Sequence, residues 1–572
     1  MSWVRFPSPA PIHGILCRSP RIVGRARHIL LIRFWQSFST LGILLGTLFF
    51  AASLTPSLLP RTIVVQGGLS GLSFAVGYAV GVGIDWLWQY LELPRLHGRA
   101  WRIPKILAAL LCIFTAIGFL WRAAEWQNSI RLLMKMEPVA TAGPLEVGLI
   151  AAATFAVLFA AGTLFLLVLR AVTAKLHRLM PRRLALVVGI AAAIILFWSV
   201  INGVVFRFAL HALDASFAKF DALIEAEREE PAAGKTGSSS SLLTWEELGR
   251  AGREFIASGP TIDQLQAFLA SEAKEPIRVY VGLRSAENVQ ERARLAFEEL
   301  KRVGGFDRSM LVIVTPTGTG WVDPAALDSL EYLQRGDVAS VAMQYSYLSS
   351  PLTLFVDPDY GADSARALFS AIYGYWSALP KDRRPRLYLH GLSLGAMNSE
   401  QSTELFEVLG DPYHGALWSG PPYPSRLWRS LTDARNPGSP AWLPTVSDSR
   451  FVRFMNQDGT NVPAGTPWGP MRIVYLQYAS DAITFFDYHD FYRRPEWLDP
   501  RGPDVSPELT WYPIVTALQI ALDTALATNA PPGFGHVFAP EHYIDAWLAV
   551  TDVHGWSGDD IERLKRHLAP RE

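Results

Sequence analysis

RLYLHGLSLGAMNSE, residues 386–400, joins a strand pattern to a helix pattern through the turn Gly391-Leu392-Ser393-Leu394-Gly395. An apolar and aromatic run ends at His390, and the residues after Ser393 read as a helix. Gly-x-Ser-x-Gly is weak by itself. Between a strand and a helix it becomes a sharp turn that lifts a serine Oγ clear of its neighbours. Gly391 and Gly395 let the backbone bend and approach closely, and Ala396 keeps the helix near the strand. The competing reading is a glycine-rich bend with no chemistry.

Strand and helix patterns alternate on both sides of this turn. "IRVYVGL", "MLVIVTP" and "VASVAMQYSYL" read as strands. "SAENVQERARLAFEELKRVG", "PAALDSLEYLQRG" and "SARALFSAIYGYWSAL" read as helices between them. "GALWSGPP" and "RIVYLQYA" are later strands, and "HYIDAWLAV" is a late helix. Continuous apolar strands alternating with helices predict a mostly parallel sheet covered on both faces. About fifty residues rich in Trp, Pro and Gly separate the last two strands and predict an insertion, a candidate cap at 422–470. Upstream, 231–241 reads as a flexible linker by composition. A helix capped by Thr244, with Glu247 three residues on, is expected after it.

A serine hydroxyl is a poor nucleophile at neutral pH and needs a base, which in turn needs an orienting acid. In α/β chains with this turn the order is Ser, acid, His. Asp481 follows the strand "RIVYLQYA" directly, with Asp487 and Asp490 in reserve; Asp481 also reads as a helix N-cap. His536 sits in the Pro/Gly loop "PPGFGHVF", where its ring can be aimed freely, whereas His542 begins a helix. His390, at a buried strand end, reads as structural. An oxyanion hole needs backbone N–H donors. Leu394 supplies one, and the turn at Thr317 and Gly318 is expected to supply the other. No Gly-Lys-Ser/Thr follows that turn, which excludes a phosphate-binding P-loop. "DYHD", 487–490, matches no standard zinc spacing and reads as a polar loop. No metal or cofactor is expected.

The first third is of another kind. Half of the 572 residues are hydrophobic. Stretches 34–60, 62–84, 106–121, 147–169 and 184–206 contain no Asp, Glu, Lys or Arg. A helix needs about 20 apolar residues to cross a bilayer. Four stretches reach that length, and the third would be extended by its flanks. Lys and Arg alternate in the intervening segments: many in 1–33, 95–105 and 175–183, few elsewhere. That bias predicts five crossings with the N-terminus inside. Everything after 206 is then outside the cytoplasm. Gly77-x-x-x-Gly81 permits close helix packing. No stretch carries a charge at its middle, which argues against an ion pump. Lys+Arg and Asp+Glu cancel at 52 each, so nothing favours nucleic acid. The two cysteines, Cys17 and Cys112, leave the remainder without a disulfide or thiolate site.

"PTGTGWVDP", "GDVASVAMQYSYLSS", "RPRLYLHGLSLGA", "GALWSGPP", "RIVYLQYASDAITFF", "RRPEWLDPRGPDVSPELTWYPIVT" and "GFGHVF" resemble a bacterial family of membrane-anchored α/β-hydrolase-fold proteins with an N-terminal multi-helix membrane domain. The resemblance runs from about residue 34 to the C-terminus. It implies an α/β-hydrolase fold at 276–572, after a basic tail (1–33), about five transmembrane helices (34–207) and a connecting segment (208–275). It implies Ser393 as nucleophile, Asp481 as acid and His536 as base. The family usually has Asp-Pro where this chain has Asp481-Ala482. The expected function is a serine hydrolase of an acyl ester, with the bilayer as partner and an envelope lipid as candidate substrate. The expected place is the inner membrane, with the catalytic domain on the periplasmic side. Two alternatives stand beside it: an acyltransferase with the same triad, and a non-catalytic scaffold or transport component with a hydrolase-like binding module. The sequence gives no oligomeric state.

Overall fold

A computed structural model describes residues 38–94, 102–178, 180–181, 184, 187–192, 195, 231–347, 360–403 and 409–569. The basic tail, most of the fifth apolar stretch and the amphipathic segment before Pro231 lie outside them.

The N-terminal half is helical: α1 Thr40–Ser53, α2 Ile63–Tyr90, α3 Arg102–Leu133 and α4 Pro144–Leu176. Three of these, α2, α3 and α4, are long and apolar enough to cross a membrane. The third stretch gains the length it lacked, since α3 has 32 residues. The first loses some. Ser39 caps α1 through a 2.9 Å bond from Gly42 N–H, and the helix stops after 14 residues. Pro56 and Pro60 disfavour helical backbone before them, so 54–61 form a turn instead. Antiparallel α1 and α2 meet through glycines. A Cβ on Gly77 would stand 2.6 Å from Leu45 O, and one on Gly81 would stand 2.6 Å from Gly42 Cα. The small-residue motif is used as expected.

Two short helices, α5 Gly249–Ala257 and α6 Ile262–Leu269, lead into the α/β domain. Thr244 and Glu247 make the expected reciprocal bonds (3.1 and 3.3 Å), but regular helix begins only at Gly249. The expected flexible linker at 231–241 is packed instead. Thr236 and Ser238 are buried, and the Ser241 hydroxyl donates to Glu299 at 2.7 Å.

The domain then runs β1 Ile277–Val281, α7 Val289–Arg302, β2 Met310–Thr315, α8 Pro324–Leu333, β3 Val338–Met343, α9 Tyr360–Ala378, β4 Arg386–Leu392, α10 Leu394–Glu400, β5 Gly415–Ser419, α11 Arg426–Asp433, β6 Val452–Met455, β7 Arg472–Leu476, α12 Ala482–Phe485, α13 Val515–Leu526, α14 Pro540–Val550 and α15 Gly558–Leu568. The seven strands lie in the order β1-β3-β2-β4-β5-β7-β6, every neighbouring pair parallel. β2 and β3 are buried along their whole length, as continuous apolar strands must be when both faces are covered. α7 and α9 pack together, and α8, α14 and α15 form a second packed group. The 422–470 stretch is not cap alone, because β6 within it closes one edge of the sheet.

The two halves touch. Leu58, Leu59, Ile130 and Met134 belong to the α/β domain's core cluster. Ser129 meets Ser506 at 2.8 Å. The domain sits at the end of the helices where α1 turns into α2 and α3 into α4.

Candidate active site

The site lies at the carboxyl edge of the sheet, where parallel α/β sheets place their loops. β4 runs down the middle and ends at Leu392, and Ser393 follows in a sharp bend with φ 58° and ψ −125°. A positive φ at a non-glycine residue costs of order 1–3 kcal/mol and persists only where the surroundings over-determine it. Here Ser393 N–H donates to Ser419 O at 2.9 Å, and Ser393 O accepts from Met397 N–H at 3.2 Å. Both flanking glycines are obligatory on steric grounds. A Cβ on Gly391 would lie 2.4 Å from Gly395 C, and one on Gly395 would lie 2.1 Å from Thr315 O.

Asp481 follows β7 and is fully buried. The N-cap reading holds, and the second oxygen faces His536. Oδ1 accepts from Ile483 N–H (2.9 Å) and Thr484 N–H (3.4 Å), capping α12. Oδ2 accepts from Thr484 Oγ1 (3.0 Å) and pairs with His536 Nδ1 (2.7 Å). His536 is 6 % exposed, and its Nε2 is buried with no hydrogen-bond partner among the described residues. That nitrogen is free to meet a substrate or a serine hydroxyl, and catalytic hydrogen bonds are often unformed until substrate arrives. Gly420, next to the Ser419 that holds Ser393, closes over this pair. A Cβ there would lie 2.6 Å from His536 Cε1 and 2.9 Å from Asp481 Oδ2. The structure therefore gathers Ser393, Asp481 and His536 at one edge.

The His536 loop is held from two sides. His536 N–H donates to Ala527 O at 2.9 Å, just beyond α13. Gly535 N–H donates to Ser480 Oγ at 2.9 Å. The Ser480 hydroxyl donates in turn to Asp504 Oδ2 at 2.6 Å, which also accepts from Ser480 N–H (3.0 Å) and Gln457 Nε2 (3.0 Å). Burial pushes the Asp504 carboxyl up, against these bonds. Sequence reading missed Asp504 and Ser480. It missed Asp323 as well, the buried N-cap of α8, whose carboxyl burial raises to about 7 near His536. Its only sequence signal is Asp-Pro at a helix start.

The oxyanion expectation divides. Leu394 opens α10, where the first N–H groups have no intrahelical partner. Thr317 fits poorly as the second donor, because its N–H is spent on Trp321 O at 3.0 Å within its own turn. Gly318 adjoins it. The reserve acids are engaged elsewhere. Asp487 accepts from Tyr423 OH at 2.6 Å and pairs with His489 at 2.8 Å, and Asp490 caps the same turn. His390 is structural as expected. Its Nδ1 meets Leu417 O at 2.8 Å, and burial lowers its pKa to about 4, so it stays neutral. His542 meets Tyr478 OH at 2.6 Å. Among the described residues no His/Cys/Asp/Glu cluster could hold a metal ion.

A separate cavity of about 560 Å³ lies at the junction of the two halves, lined by Leu59, Ile63, Val64, Gln127, Leu526 and Ala530 among others.

Residues 277–564, half of the chain, match the model of an alpha/beta-hydrolase family, and residues 54–260 match that of an alpha/beta-hydrolase family N-terminus. No curated protein and no solved structure matches the chain significantly.

Proposed function

The chain belongs to the alpha/beta-hydrolase family, and from that premise we propose that it is a serine hydrolase of acyl esters that works at a membrane surface. The carrying observation is the buried His536: Nδ1 is bound to Asp481 at 2.7 Å and Nε2 is left open, against Gly420, the residue after the Ser419 that accepts Ser393 N–H. In this reading Ser393 Oγ attacks the ester carbonyl carbon while its proton passes to His536 Nε2. Asp481 fixes the tautomer and steadies the imidazolium. The N–H of Leu394, with that of Gly318 or a neighbour, stabilises the oxyanion. The proton then goes to the departing alkoxide, which leaves an acyl group on Ser393. Water repeats the steps and releases the acid.

Membrane residence is inferred from α2, α3 and α4, whose apolar faces include the exposed Trp121, Val157 and Leu145. It brings bilayer lipids within reach as substrates. Together with the lysine and arginine bias, it supports an N-terminus in the cytoplasm and an α/β domain on the far side of a bacterial inner membrane.

The test is reaction of the full-length protein with a fluorophosphonate probe, set against Ser393→Ala. Labelling that disappears in the variant supports the reading. A folded wild-type chain that does not react, or that reacts equally without Ser393, refutes it.

A further inference from the structure

We infer that the turn at residues 54–61, between α1 and α2, is a positioning element of the active site, with Leu59 and Arg61 setting the place of the His536 loop. The inference rests on the catalytic reading above. It starts from a cation where none is expected. Arg61 sits between two apolar helices, yet its side chain is fully buried. Its Nε and one terminal nitrogen donate to Asp523 Oδ1 of α13 at 3.0 and 2.9 Å, and it also contacts Ser57. The other oxygen of Asp523 accepts from the backbone N–H groups of Leu58 (3.1 Å) and Leu59 (3.4 Å). One turn earlier on α13, the Gln519 amide donates to Thr55 O at 2.9 Å and Ser53 O at 3.3 Å. The polar groups of the turn are thus answered by α13. An exposed ion pair stabilises little, but a buried one with every lone pair engaged fixes register, and losing one partner is severe.

From α13 the contact reaches the histidine in one step. Ala527, the residue after α13, supplies the carbonyl that accepts His536 N–H at 2.9 Å. Leu59 adds a direct contact, since a Cβ built on Gly535 would lie 3.2 Å from Leu59 Cδ2. Gly535 adopts φ +56° and has no side chain of its own, and Leu59 shares that space with Ala530 Cβ and Ala527 O, 2.8 and 2.9 Å from the same Cβ position. Gly535, the residue before the base, and Ala527, which accepts its N–H, are therefore both packed against elements that the turn of the helical half contacts. Small displacements matter here, because a shift of about 1 Å in a catalytic group costs about a hundredfold in rate.

The test uses the full-length protein in lipid nanodiscs, as wild type, Leu59→Ala, Leu59→Met and Arg61→Met. Fluorophosphonate inactivation is resolved into kinact and KI, and hydrogen exchange is followed over residues 515–537. Leu59→Ala is expected to lower kinact about tenfold with KI unchanged, and Leu59→Met to restore it. Simple destabilisation would lower the amount of reactive protein but not kinact. Arg61→Met is expected to speed exchange over 515–537 while the amides of β4 and β5 stay protected. If Arg61→Met does not fold, the Leu59 pair decides. Wild-type kinact and wild-type exchange in folded variants would overturn the positioning role alone. A wild-type chain with no Ser393-dependent reaction would remove the catalytic reading and this inference together.

Discussion

Asp481 offers a clean separation of chemistry from folding, because its two oxygens do different work. Oδ1 caps α12, and Oδ2 faces His536 Nδ1 at 2.7 Å and Thr484 Oγ1 at 3.0 Å. Asp481→Asn keeps an acceptor for the cap, and Asn caps a helix as well as Asp does. It puts an NH₂ opposite the His536 Nδ1 proton. The ring must then turn over its tautomer, with Nδ1 accepting and Nε2 carrying the hydrogen. In the proposed reaction Nε2 can then no longer take a proton from Ser393. The same exchange in a Ser-His-Asp enzyme lowers turnover about 10⁴-fold, equivalent to about 5.5 kcal/mol of barrier. The expected result is a loss of that order in fluorophosphonate labelling rate, with thermal stability within about 1 kcal/mol of wild type. Asp481→Ala loses the rate and the cap, and is expected to cost a further 1–2 kcal/mol or so in stability. Labelling rates and thermal unfolding measured on the same solubilised samples decide the matter. An Asn variant that labels within about tenfold of wild type would refute the reasoning. So would one as destabilised as the Ala variant.

Gly420→Ala places a methyl 2.6 Å from His536 Cε1 at a residue with φ +49°; it is expected to lose about 2 kcal/mol of stability and most labelling, checked by the same pair of assays. Burial holds the Glu400 carboxyl up at about 8 against an ordinary 4.5, even with Tyr475 OH donating to it at 3.0 Å. The folded chain then keeps a proton that the unfolded chain releases, so this group's contribution to stability falls as pH rises from about 4.5 to about 8. Glu400→Gln removes that slope, and its unfolding free energy is expected to gain on wild type by on the order of 1 kcal/mol per pH unit across the window. Gly81→Val is expected to lower the melting temperature of the solubilised protein through its 2.6 Å approach to Gly42, while Gly83→Val, with open space around it, leaves it unchanged.

The three residues proposed for the triad could be picked out in the sequence because each stands beside strongly patterned structure. Ser393 and Asp481 follow buried strands, and His536 follows glycines in a loop that can only be a connection. Elements without a period were lost. β6 is four residues, Val-Arg-Phe-Met, too short to alternate visibly, and it joins the sheet only because β7 offers a free edge. Asp504 was invisible for another reason. Its role is a bond to Ser480, and no local pattern records a partner 24 residues away. Thr317 looked like a donor because a Gly/Thr turn at a strand end usually points its N–H groups outward, but the turn closes on itself through Trp321. Composition misled at 231–241, where small polar side chains pack instead of staying loose.

The orientation expected from the positive charges meets an independent geometric constraint. α1 and α2 are antiparallel, and the close contacts of Gly67 with Ile150 and Gly71 with Ala151 and Thr154 make α2 and α4 parallel. The turns after α1 and after α3 therefore lie at one end of the bundle, and the α/β domain docks there through Asp523, Gln519 and Ser506. α4 runs away from that end. The four described helices therefore alternate in direction, with α1 and α3 ending and α2 and α4 beginning beside the domain. The lysine and arginine bias expects the same alternation. The Arg61–Asp523 pair stands at this same end of the helices, between the turn after α1 and α13 of the domain.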